Sequence, residues 1–226
     1  MIKAIIFDMD GTVVHTPPHD LSAWQEVLRD HGVDFSFEDL KRAYGRKAKE
    51  ILKEKVPEIT DEHIDATLKK RYELFHSSIK KKGLQPVSGF YIYINMLKKK
   101  YKVAIATGAS LEKVKIVMQF IPLEKYFSTI ITADDVENGK PNPDLFLKAA
   151  ETLDVKPEEC IVIEDANNGI DAAHRAGMKC IAITTTHARD ELKNADKIID
   201  SFDELKIEDL NHLGGGQMDS SEVERL

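Results

Sequence analysis

The chain reads as an α/β protein, a Rossmann-like three-layer fold with a parallel sheet at its centre and a helical cap inserted into it. Two observations predict this. Short, non-alternating runs rich in Ile and Val recur along the sequence, each followed by a helical pattern. Runs without alternation suit strands covered on both faces, and strand–helix alternation argues a parallel sheet between helical layers. One long stretch, from about Leu21 to Lys82, breaks the alternation and reads as helices alone.

The expected strands are Ala4 to Phe7, Val103 to Ala106, Thr129 to Thr132, Ile161 to Ile163 and Ile181 to Ile183. Between them, Phe90, Tyr93, Ile94 and Leu97 fall at helical spacing. So do Val114, Val117, Met118 and Ile121, and again Phe146, Ala149, Ala150 and Leu153. Ser110 is placed to cap the second of these helices, and Gly177 to end a helix running from about Asn168 to Ala176. In the inserted stretch, Leu21, Trp24 and Leu28 share a face. Ser36 with Asp39 has the capping-box pattern, and Ile64, Leu68, Tyr72, Phe75 and Ile79 form a stripe beginning near Thr60. Pro and Gly mark linkers near Val13–Pro18 and Gly83–Gly89. The expected division is a core of residues 1–15 and 86–213, a helical cap of residues 16–85, and a loose tail of residues 214–226.

Composition narrows the partners. Of 226 residues, 42% are hydrophobic and 31% charged, which suits a globular chain, and the net charge is −7. That balance gives no electrostatic footprint for nucleic acid or for anionic membranes. No run reaches the length of a membrane span or a signal peptide, so the expected location is cytoplasmic; separately, the chain is expected to be a monomer. Cys160 and Cys180 each border an apolar run and are expected as buried, reduced thiols. An anionic substrate would need a local positive site.

Ligands of open α/β sheets bind outside the carboxyl ends of the strands. The first run delivers Asp8 and Asp10 there, the second Thr107 and Gly108, and the third leads through Asp134, Asp135 and Gly139 to Lys140. The fourth delivers Glu164 and Asp165. Clustered carboxylates repel unless a cation sits among them, and hard oxygen ligands suit Mg²⁺. Asp8, the Asp10 carbonyl, Asp165 and Glu164 are the expected metal ligands. Thr107, the backbone at Gly108 and Lys140 suit phosphate oxygens. Asp8 is the expected nucleophile, and Asp10, two residues on, the expected acid and base. Gly11 allows a tight turn, which Thr12 braces.

At these residues the chain resembles the haloacid dehalogenase superfamily, and its helical insertion resembles that of the beta-phosphoglucomutase-like phosphatases. Four motifs match in order: Asp8-Met9-Asp10-Gly11-Thr12; Thr107-Gly108; Gly139-Lys140-Pro141-Asn142-Pro143-Asp144; and Glu164-Asp165-Ala166-Asn167-Asn168-Gly169. The resemblance implies a mobile cap and a small phosphorylated metabolite as substrate. Dehalogenating members lack the second aspartate, so Asp10 implies phosphate chemistry. At the start of the cap the stretch is His15-Thr16-Pro17-Pro18-His19-Asp20. The sugar phosphate mutase has a histidine where Asp20 aligns, which favours hydrolysis here over transfer between substrate hydroxyls. Asp20, Trp24, Arg46 and Lys47 are the cap residues expected near substrate. Two readings stay beside the phosphatase: the mutase, and a signalling domain that accepts phosphate on Asp8. His76 and His174 are expected on helix surfaces, and Lys80–Lys82 and Lys98–Lys100 as solvated helix ends.

Overall fold

The computed structural model describes residues 1–215. Six parallel strands form one sheet: β1 (Ala4–Phe7), β2 (Lys102–Ala106), β3 (Thr129–Ile131), β4 (Cys160–Glu164), β5 (Lys179–Ile183) and β6 (Lys197–Ile199). Their order across the sheet is β3-β2-β1-β4-β5-β6. Of these, β6 is not among the sequence expectations. It has three residues between Asp196 and Asp200, too short a run to stand out from polar surroundings.

The strands alternate in size across their two faces. Ile5, Phe7, Val103, Ile105, Ile161, Ile163, Ile181 and Ile183 face one layer. That layer contains α5 (Phe90–Leu97), α6 (Leu111–Met118) and α9 (Ile207–Leu213). Ala4, Ile6, Ala104, Ala106, Cys160, Val162, Cys180 and Ala182 face the other, with α7 (Asp144–Thr152) and α8 (Asn167–Arg175). The large residues suit the aromatic layer of Phe90, Tyr93, Phe127 and Phe202. The mostly small residues let α7 and α8, themselves rich in Ala, approach closely. Both faces are thus buried, as the non-alternating runs predict. The two cysteines are free and buried, as expected.

Between β1 and α5 the chain forms α1 (Pro17–Arg29), α2 (Phe37–Ala43), α3 (Ala48–Lys55) and α4 (Asp61–Lys82). Proline begins α1, where its missing N–H and fixed φ cost nothing. Ser36 and Asp39 close a reciprocal capping box on α2, and Thr60 caps α4. Trp24, Leu28, Phe35, Leu40, Leu52 and Ile64 form a separate apolar cluster among these helices. The segments into and out of the insertion lie side by side: the His15 N–H donates to the Gln85 carbonyl, and the Val87 N–H to that of Val13. Lys80–Lys82 fall in the last turn of α4, as expected. His76 is half-buried against Phe120 rather than on the surface, because α4 packs against the end of α6 there. The tail expected at residues 214–226 begins with a turn at Gly214 and Gly215; the rest lies outside the described residues. No described helix is long and apolar enough to cross a membrane.

Candidate active site

Strand order places a crevice between the carboxyl ends of β1 and β4. The chain runs outward from β1 to β2 and β3, then returns past β1 to begin β4, so connections leave these neighbours in opposite directions. Ligands bind at such a switch point. Asp8 follows β1 directly, and its N–H extends the ladder to the Ile163 carbonyl. Glu164 ends β4, and Asp165 follows it.

Asp8, Glu164 and Asp165 each bring a carboxylate oxygen within 4.8 Å of the others, and all three are buried. Lys140 lies fully enclosed among them, its Nζ 2.5 Å from Asp8 Oδ1 and 2.7 Å from Glu164 Oε1. The other oxygen of Glu164 accepts from the Asp165 and Ala166 N–H groups, both at 2.7 Å. Both oxygens of Glu164 are therefore engaged, one with Lys140 beside Asp8 and one with the backbone. Asp165 is fixed by Thr12, which donates to Oδ1, and by Thr186, which donates to Oδ2. Thr12 thus braces the Asp165 carboxylate. Gly11 has φ +84°, and a Cβ there would meet Asp165 Oδ2 at 2.2 Å, so only glycine lets the turn pass the acid.

Burial pushes the Asp8 carboxyl up to about 7; Lys140 opposes this, while Glu164 and Asp10 add to it. Burial also raises Asp165 well above the carboxylate range, with Glu164 and Asp8 adding to it. For Lys140, burial alone would favour the neutral amine, but Asp8 and Glu164 outweigh it and hold the ammonium above its ordinary value. One lysine therefore does not balance three buried carboxyl groups. The donor set is hard oxygen with surplus negative charge, and it fits a divalent cation such as Mg²⁺. Asp8, Glu164 and Asp165 each offer a carboxylate oxygen to such an ion.

Asp10 turns its side chain away from this cluster. Its Oδ1 accepts from Thr16 Oγ1 at 2.6 Å and pairs with Lys113 Nζ at 2.8 Å. Any role of Asp10 as a metal ligand is thus left to its main chain. Thr107 is buried at the end of β2, and its hydroxyl accepts the Ala109 N–H at 3.1 Å. Gly108 lies under the insertion, where a Cβ would come within 2.3 Å of the Gly45 carbonyl.

Asp8, Asp10, Thr107 and Gly108 line one side of a partly open pocket, and Asp20, Trp24, Tyr44, Arg46 and Arg71 of the insertion line the other. Asp20 is buried, accepting from Arg71 at 2.6 Å and pairing with Lys113 at 2.7 Å. His19 points elsewhere, to Ser78. Trp24 belongs to the insertion's apolar cluster and carries the Arg71 guanidinium 4.4 Å over its ring. Arg46 reaches the rim and pairs with Glu54. Lys47 does not line the cavity. Its ammonium donates to the Val136 carbonyl at 2.6 Å and ties the insertion to the loop before Lys140.

Arg71, Lys113, Thr186 and the buried Tyr44 are missed by the sequence reading. Two left a signal. Arg71 stands in the apolar stripe of α4, four residues before Phe75, and Lys113 stands four before Val117 on α6. A charge at such a position is either an error of register or a buried ion with a partner.

A parallel sheet whose switch point gathers an aspartate nucleophile candidate, a buried lysine and a carboxylate cluster beneath a helical roof defines a class of hydrolase fold. The model of the haloacid dehalogenase-like hydrolases matches residues 5–183, and the chain belongs to that family, in its beta-phosphoglucomutase-like branch. A validoxylamine A 7'-phosphate phosphatase of Streptomyces hygroscopicus subsp. limoneus is 30% identical over 91% of this chain and 97% of its own. A phosphorylated carbohydrates phosphatase of Thermotoga maritima is 32% identical over 80% of this chain and 84% of its own. The crystal structure of a beta-phosphoglucomutase from Clostridium difficile superposes with a TM-score of 0.84 at 25% identity, covering 95% of this chain and 98% of that one.

Proposed function

We propose that this chain is a Mg²⁺-dependent phosphatase of small phosphorylated metabolites, sugar phosphates foremost, acting through an aspartyl phosphate on Asp8. The observation that carries this reading is the Asp8 carboxylate itself, held by Lys140 at the sheet's switch point and lining the pocket beneath the insertion. The relatives named above as phosphatases of phosphorylated sugars and sugar-like compounds support the substrate class. Residues 16–85 act as a cap on a core of residues 1–15 and 86–213.

In the first step an oxygen of Asp8 attacks phosphorus. The bond from phosphorus to the ester oxygen breaks, and that oxygen leaves with the electron pair and takes a proton from Asp10. The product alcohol departs. In the second step Asp10 accepts a proton from water as the water oxygen attacks the aspartyl phosphate. The Asp8–phosphorus bond breaks, returning the carboxylate and releasing inorganic phosphate. Lys140, Thr107 and the backbone at Gly108 hold the phosphoryl oxygens, whose charge a buried ammonium and fixed donors stabilise most in the transition state. Mg²⁺, bound by Asp8, Asp165 and the Asp10 carbonyl, would supply further positive charge to the same oxygens.

A panel of sugar phosphates, nucleotides and polyol phosphates assayed with Mg²⁺ tests the reading. Free phosphate should appear in step with substrate loss, and Asp8→Asn should abolish it. Isomerised substrate with little free phosphate would establish the mutase instead, the reading that the 0.84 superposition keeps in view. Stable phosphorylation of Asp8 with no ester turned over would establish the signalling domain.

A further inference from the structure

We propose that Lys113 is a positioning residue for the proton-transfer step, fixing the Asp10 carboxyl so that only Oδ2 is free to exchange a proton with the substrate. The inference rests on the phosphatase reading, in which Asp10 protonates the leaving oxygen.

Lys113 lies in the first turn of α6 and is only 5% exposed, although it carries a charge. Its ammonium reaches Asp10 Oδ1 at 2.8 Å and Asp20 Oδ2 at 2.7 Å, with the Phe75 ring 4.9 Å beneath it. Asp20 in turn accepts from Arg71. Acid, base, acid and base thus alternate in a buried line, and each charge is answered by its neighbour.

The geometry at Asp10 sets this apart from a simple packing pair. Both donors, Thr16 Oγ1 and Lys113 Nζ, come to the same oxygen, Oδ1. Among the described residues no donor reaches Oδ2, yet Asp10 lines the cavity above Asp8. Two donors on one oxygen fix the carboxyl plane and hold charge on that atom. The proton is left to Oδ2, the oxygen that can face the ester. The same ammonium grips Asp20 on α1, so the orientation of Asp10 is set in full only when the insertion is seated.

A positioning residue for an acid shows itself through the leaving group. Sugar alcohols need a proton as they leave; p-nitrophenolate does not. The value of kcat/KM, which reports transfer to Asp8, is measured for the sugar phosphate turned over fastest in the panel and for p-nitrophenyl phosphate. Lys113→Met should lower the sugar phosphate value by about tenfold or more, part of the ~10²–10⁴ that acid–base catalysis contributes. It should change the p-nitrophenyl phosphate value by less than about threefold. Equal losses for both substrates, or none for either, would overturn the proposal. Lys113→Met leaves Asp10 and Asp20 facing each other, so Lys113→Met with Asp20→Asn is measured alongside to remove that repulsion. The selective loss should persist in the double variant; its disappearance would mean that Lys113 serves only charge balance. Asp10→Asn separates this proposal from the one beneath it. If Asp10→Asn turns over sugar phosphate normally, the acid assignment itself fails. If Asp10→Asn is inactive on sugar phosphate while Lys113→Met is unselective, only the role of Lys113 is lost.

Discussion

At Asp8 burial leaves a group whose charge is expensive without a cation. Its folded value of about 7 lies above the ordinary 3.8. Between those values the folded chain holds a proton that the unfolded chain releases, so this group's contribution makes stability fall as pH rises from about 4 to 7. In metal-free protein the melting temperature should therefore decline across that window, and added Mg²⁺ should raise it most near pH 7, where it replaces the proton. Thermal unfolding with MgCl₂ against EDTA checks this, and Asp8→Asn should blunt the Mg²⁺ effect. His19 and His187 act in the opposite sense. Burial lowers both, so their contribution grows as pH rises through the imidazole range, and it survives in Asp8→Asn. Gly11 is the other single residue on which the site turns. Gly11→Ala must adopt φ +84° and displace Asp165, which predicts a loss of about 1–3 kcal/mol from backbone strain alone, read by urea denaturation, with activity falling too. Asp8, Asp10, Thr107, Glu164 and Asp165 were picked out in the sequence because each stands at or just past the end of an apolar run, and Lys140 because it sits in the short Gly139-Lys140-Pro141 motif beyond the third run. Thr186 and Arg71 were not, because what gives them a role is a partner from another element. Thr186 is an ordinary hydroxyl until the loop after β5 brings it to Asp165.

Individual elements were legible in proportion to their periodicity. The runs that become β1 to β5, and the stripes of α4 to α8, carry enough apolar residues to show a pattern. By contrast β6 and α9, with three and seven residues, do not; pairing with β5 and packing of Leu210 on the core define them. Helix α2 is a different case, short but announced by its cap. Ser36 Oγ accepts from the Asp39 N–H, while Asp39 accepts in return and also takes the Lys55 ammonium at 2.6 Å. The hydrogen bonds from Lys55 and Ser36 hold the Asp39 carboxyl well below the usual carboxylate range. Ser36→Ala should cost about 1 kcal/mol, as loss of an N-cap does elsewhere, and should be visible as a lower urea midpoint. Since α2 carries Leu40 and leads to Tyr44 and Gly45 over the site, a rise in KM should accompany it.

For the whole molecule, the decisive relation is how the insertion sits on the sheet. Gly45 rests against the side chain of Lys140, Gly108 lies beneath the Gly45 carbonyl, Lys47 bonds to Val136, Lys41 pairs with Glu191, and Asn168 donates to the Arg42 and Tyr44 carbonyls. Gly108→Ala would set a methyl 2.3 Å from the Gly45 carbonyl and lift the roof from the site. The expected result is a kcat lower by about tenfold with little change in melting temperature, because water then competes inside the site. Steady-state kinetics beside calorimetry would show whether both fall together, the outcome contrary to this expectation. The sequence announced a helical insertion through a break in alternation and pointed to Asp20, Trp24 and Arg46, which line the pocket, but also to Lys47, which does not, and it missed Tyr44 and Arg71, whose place there depends on how the helices pack. Strand order carries one more consequence, for synthesis on the ribosome. Ala4 pairs with Lys102 on one side and with Cys160 on the other, so the strand bearing Asp8 is made early and waits for both neighbours. A nascent chain halted before Cys160 has Asp8 and the whole helical insertion but neither Glu164 nor Asp165. It would emerge with Asp8 already translated and the carboxylates that stand beside it still to come.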